Sequence, residues 1–173
     1  MSAWHWPPHE VVSSRQVLGQ LRDHLSNGMK PDAGDSKLSA ETAGWLARLL
    51  VVRSCGHLEK VVQACARGYV EFKSGGPTQS FALSWTERSR NPSEANLLEL
   101  LTRFESGWAE ELLELLSAND ELLHRELAWA IDTRNRIAHG ENQGAGPEKA
   151  LVSCASMELL ADWWVDRLSP AKS

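Results

Sequence analysis

The string Arg134-Asn135-Arg136-Ile137-Ala138-His139-Gly140 carries groups suited to chemistry at a phosphate. A guanidinium offers a planar fork of donors to phosphoryl oxygens. An imidazole beside it can take up or give a proton near neutral pH. Asn135 and His139 are four residues apart, so on a helix they lie within about 40° of each other on one face. The pattern therefore gathers Arg134, Asn135 and His139 at one helix terminus. Arg136 points elsewhere and can pair with Asp132 one turn earlier.

The residues before this string sharpen the point. Leu123, Leu127 and Ala130 form an apolar stripe whose next member at the same spacing is Arg134. Arginine is rarely buried unless paired. One reading gives it a structural partner such as Glu59, or lets it snorkel out at the helix end. The other makes it a binding group. His139 likewise reads either as a helix cap or as a proton carrier.

No other constellation competes. His-Glu-x-x-His, Cys-x-x-Cys, a phosphate-cradling glycine loop and a nucleophile elbow are all missing, so no metal or cofactor is implied. His5, His9, His24 and His124 have no ligand cluster at suitable spacing. Cys55, Cys65 and Cys154 are odd in number and read as reduced, buried thiols.

The elements that must position these groups are helices. The first is expected from about Glu10 to Asn27, stopping at Gly28 and followed by a loop over 30–35. The second and longest runs from about Lys37 to Lys73, with a seam of Val51, Cys55, Leu58, Val62, Cys65, Tyr69 and Phe72. Arg53, His57, Lys60 and Arg67 share its opposite side, read either as a solvated face or as a track for a phosphate backbone. A short strand around Phe81–Trp85 is the one exception, and it lacks a partner. Asn91-Pro92-Ser93 opens a third helix carrying Leu97, Leu101, Phe104 and Trp108, weakened near its end by Gly107. Leu112 to Leu116 continue as an acidic-faced helix with a break near Asn119. A helix from about Asp120 to Ala138 stops at His139-Gly140. The last, about Glu148 to Leu168, carries Cys154, Met157, Ala161, Trp164 and Leu168 on one stripe. The expectation is an all-α bundle, one compact domain with an amino-terminal helix and loop (1–36) ahead of the main helical part (37–169).

Composition agrees. The 173 residues carry 18 Lys and Arg against 23 Asp and Glu, a formal net charge of -5. A broad basic surface for coating nucleic acid is excluded, although a small cationic cleft is not. No apolar run reaches the roughly 18–20 residues that span a bilayer, and the start has no signal-peptide pattern. The expected setting is cytoplasmic.

The Arg134–Gly140 string resembles the signature of the HEPN superfamily: Arg-Asn, a few residues, then His. Asn91 to Leu98 with Leu101, Phe104 and Trp108 looks like the middle region of its RiboL-PSP-HEPN branch, and His57-Leu58-Glu59 lies where that branch carries a glutamate on an early long helix. The similarity spans roughly residues 38–168. It implies a HEPN-like helical bundle acting as a metal-independent endoribonuclease, with a homodimer whose cleft lies at the two-fold interface. Arg134 and His139 would then be catalytic, Asn135 would orient the His or the phosphate, and Glu59 would support them. Arg53, His57, Lys60 and Arg136 become candidates for touching RNA. The implied role is a toxin or antiviral effector restrained by an antitoxin or regulatory protein. Family toxins silenced through a tyrosine often carry it two residues after the His; here that position is Glu141, which argues against such silencing. One chain offers one good histidine for two proton-transfer roles, and a two-fold dimer doubles the set. The alternative is a non-catalytic module holding a nucleotide, RNA or protein partner in the same cleft, with room for it in the segment containing Trp4 and Trp6.

Overall fold

The computed structural model describes residues 5–86, 91–141 and 144–171; Trp4 lies outside them. Among these residues are six α-helices: α1 (His9–Gly28), α2 (Ala40–Lys73), α3 (Gly76–Ser84), α4 (Glu94–Phe104), α5 (Ser106–Ala138) and α6 (Pro147–Arg167), with a short 3-10 turn at Gly34–Ser36. The chain is all-α, as its periodicity predicts. None of the described helices is long and apolar enough to cross a membrane.

Helix α2 is the spine. The Ser39 side chain accepts a hydrogen bond from the Thr42 N–H at 3.1 Å and starts the helix. Its 34 residues span about 50 Å at 1.5 Å per residue. Helices α1, α5 and α6 all pack along it. The expected seam is buried from Val51 to Cys65, but Phe72 at its far end is 53% exposed. The α6 stripe of Cys154, Met157, Ala161, Trp164 and Leu168 is buried throughout. Two apolar clusters result. The larger joins α2, α4, α5 and α6 around Leu58, Leu101, Leu127 and Trp164. The smaller joins α1, α2 and α6 around Leu25, Leu50 and Ala150, and Trp129 packs against both. The first helix is thus part of the core through Val11, Leu18 and Leu25.

Two expectations are corrected here. Phe81 to Trp85 is not a strand but the end of α3 and its cap. Pro77 sits in the first turn, where its fixed φ suits a helix, and an isolated strand has no ladder to join. Trp108 does not continue the helix of Leu97 and Leu101. The chain turns extended at Glu105 (φ −160°, ψ 130°) and Trp108 begins α5 instead. The turn lets Trp108 pack back on Tyr69 and Phe104, with ring centroids 5.5 and 5.9 Å apart.

The expected break near Asn119 is present within α5. Ala118 is extended, and Asn119, Asp120 and Glu121 all have positive φ, which costs an L residue. The break frees the second half of α5 to take its own direction. That half is anchored by Glu126, only 4% exposed, whose carboxylate is ion-paired with Lys149 at the start of α6. The Lys149 ammonium also lies 5.0 Å from the Trp129 ring centroid.

A buried carboxylate stripped of its partner is strongly unfavourable, so Lys149→Ala should cost on the order of 2–3 kcal/mol. The double change Glu126→Gln with Lys149→Met should cost less than Lys149→Ala alone. Urea unfolding of the three proteins checks this, and a double variant at least as unstable as the single one removes the pair as the anchor.

Candidate active site

The end of α5 is closed by backbone geometry that glycine makes possible. Gly140 has φ +78°, its N–H donates to the Ile137 carbonyl at 3.0 Å, and the Glu141 N–H donates to the Arg136 carbonyl at 3.0 Å. This paired arrangement is the Schellman closure, and it fixes His139 as the capping residue. The His139 side chain is exposed.

One turn back, Arg134 lies on the inner side of α5. Its Nη1 donates to Asn135 Oδ1 at 3.1 Å, and its Nη2 lies 3.8 Å from Glu59 Oε2 on α2. The Arg134 side chain is 34% exposed and that of Glu59 22%. The ion pair is long and partly hydrated, hence weak. A guanidinium has five N–H donors, so those facing solvent can meet an anion while Glu59 and Asn135 hold its plane. Cys55, one turn before Glu59, is close enough to feel both charges, but burial dominates and pushes its thiol up to about 12. It is an inert neighbour. Cys65 and Cys154 are also buried free thiols.

The structure thus brings Arg134, Asn135 and Glu59 into contact. Among the described residues no hydrogen bond or ion pair joins the His139 side chain to those three. Arg136 pairs with Asp132, Nε to Oδ2 3.0 Å, as its spacing predicts. Arg53 and Lys60 are exposed on α2.

His57 departs from expectation. Its position on the polar side of α2 suggested a group open to RNA, but α1 covers it and leaves it 1% exposed. Nδ1 makes a 2.9 Å hydrogen bond with Ser14 Oγ of α1, and Nε2 is buried without a partner among the described residues. Burial, reinforced by the nearby Arg15 charge and opposed by Asp162 of α6, lowers its pKa to about 4. His57 is a neutral core residue between α1 and α2. Sequence reading also overlooked a cleft beside Glu59 that includes Gln63, Asn91 and Asn96. Asn91 looked like helix punctuation, and only the packing of α4 on α2 gives it a second face.

The lowered His57 pKa sets a pH dependence. The unfolded chain, with an ordinary histidine pKa near 6.5, binds the proton more readily than the fold, so stability is complete above that pH and is lost as pH falls toward 4. Between pH 7 and pH 5 this amounts to about 2 kcal/mol. Urea titrations at the two pH values should show that loss in the native protein and not in His57→Leu. Equal losses in both would contradict the assignment.

Comparison with known proteins finds one family. A model of RiboL-PSP-HEPN matches residues 18–158, from the middle of α1 into α6. No curated protein matches the chain. No solved structure matches it either. The matched stretch covers most of the chain and includes Glu59, Arg134, Asn135 and His139, so this protein belongs to the RiboL-PSP-HEPN family.

Proposed function

We propose that the protein is a metal-independent endoribonuclease. The observation that carries this reading is the Glu59–Arg134–Asn135 contact set one turn before the glycine-closed His139, in a chain of the RiboL-PSP-HEPN family. Arg134 receives the scissile phosphate and meets the charge that develops on its oxygens. Glu59 and Asn135 keep the guanidinium plane in register. The 2′-oxygen attacks phosphorus and loses its proton to a base, while the 5′-oxygen leaves and takes a proton from an acid. The products are a 2′,3′-cyclic phosphate and a 5′-hydroxyl. His139 supplies proton transfer at a position open to substrate.

A single chain presents one such histidine. Two copies related by a two-fold axis would set two Arg134–His139 ends against each other and supply both base and acid. The exposure of His139, and the lack of a hydrogen bond between its side chain and Arg134 among the described residues, favour this shared cleft. DNA lacks the nucleophile and would not be cut. The cellular setting we propose is a cytoplasmic toxin or antiviral effector held in check by a partner protein. Arg53, Lys60 and Arg136 are the basic groups we would have guide RNA toward the cleft.

A second reading, a non-catalytic module gripping RNA or a nucleotide at the same place, draws on the fact that Glu59 already pairs with Arg134. Catalysis separates the two. Purified protein should cut cellular RNA in EDTA, and Arg134→Ala and His139→Ala should each lose at least roughly 100-fold in rate, as loss of a positioned proton-transfer group does. Their unfolding midpoints should stay near that of the native protein. Full activity in both variants would remove the ribonuclease reading.

A further inference from the structure

Helix α3 contains no buried residue. Phe81 is 67% exposed and Trp85, at its carboxyl cap, 49%. Two large aromatic rings, 6.2 Å apart between centroids, are thereby held in water. Arg103 of α4 stacks on Trp85, its guanidinium carbon 4.2 Å from the ring centroid.

Trp85 and Arg103 line two adjoining hollows. On one side the wall is apolar, with Val70, Phe81 and Phe104. On the other it carries Glu59, Gln63, Asn91 and Asn96. The amides there are held in place: Asn96 Nδ2 donates to the Asn91 carbonyl at 2.7 Å, and Gln63 Nε2 to the Thr86 carbonyl at 3.1 Å. Asn91 Oδ1 is buried with no hydrogen-bond partner among the described residues. Glu59 belongs both to this wall and to the contact with Arg134.

An aromatic face backed by a cation, beside fixed amides, is what an unstacked base needs. We propose that the α3–α4 cleft is a subsite for one unpaired base of the RNA, stacked on Trp85 and read at its edge by Asn91 and Asn96, with its backbone leading past Glu59 to Arg134. The inference rests on the ribonuclease reading for its substrate class but names residues outside the reacting groups. It also accounts for the exposure of Phe81 and Trp85, which the packing of the chain leaves unexplained.

The test is binding of a fluorescein-labelled 2′-O-methyl A6 oligonucleotide, whose blocked 2′-oxygen prevents cleavage, followed by anisotropy. Trp85→Ala should weaken binding roughly tenfold and Trp85→Phe should retain most of it, because stacking rather than the indole N–H is at stake. Three results overturn the proposal: no binding by the native protein, equal binding by Trp85→Ala, or a change in sedimentation of Trp85→Ala with RNA affinity intact, which would mark a protein-docking face instead. The outcome is separable from that of the cleavage assay. Trp85-dependent binding without any RNA cleavage keeps the subsite and removes the ribonuclease; cleavage with no dependence on Trp85 in binding does the reverse.

Discussion

The structure depends on α2 being surrounded. One helix about 50 Å long receives α1, α5 and α6 along its sides, and only a stripe through Trp45, Leu49, Arg53, Lys60 and Arg67 stays in water. The covered sides of such a helix must be apolar, and α2 buries Leu50, Val51, Leu58 and Val61 at near-zero exposure. Polar residues at such positions must find local partners or lose their charge. Ser54 Oγ donates to the Leu50 carbonyl, and His57 stays neutral against Ser14. Glu59 lies at the margin of this burial, where α5 arrives with Arg134. The spine thus supplies both the support beneath the site and one of its charged groups.

Arrival of α5 at that margin is a matter of aim. The three positive-φ residues at 119–121 let the helix change direction, and the Glu126–Lys149 pair fixes the second half against α6. Without the break, the acidic first half would dictate where Arg134 points. Among the described residues this buried pair is the polar tie between α5 and the start of α6. The Schellman closure at Gly140 then limits how far His139 can move relative to Arg134. Each device is local, and together they place a guanidinium, an amide and an imidazole within six consecutive residues at one helix end.

Most of the architecture was legible because buried helices announce themselves by period. The seam of α2, the stripe of α6, the break near Asn119 and the closing glycine all follow from spacing and from the φ that each residue type tolerates. The Arg134–Glu59 contact was legible in part, since an arginine on an apolar stripe demands a partner. Tertiary packing decided the rest. His57 reads as polar surface on its own helix and becomes core only when α1 lies over it. Trp108 reads as a continuation of α4 until one extended residue, Glu105, turns the chain. The cleft beside Glu59 draws on α2, α4 and the end of α3, which no single periodic segment can reveal.

The arginine and the histidine at this helix end are proposed to cut RNA through its own 2′-hydroxyl. The most direct measurement is the chemistry of the product ends. A 5′-labelled single-stranded RNA incubated with the protein in EDTA should yield fragments ending in 2′,3′-cyclic phosphate, and a matched strand with 2′-deoxy sugars at the cut positions should remain whole. Fragments ending in a 3′-hydroxyl, or cutting of the deoxy-substituted strand, would contradict the account.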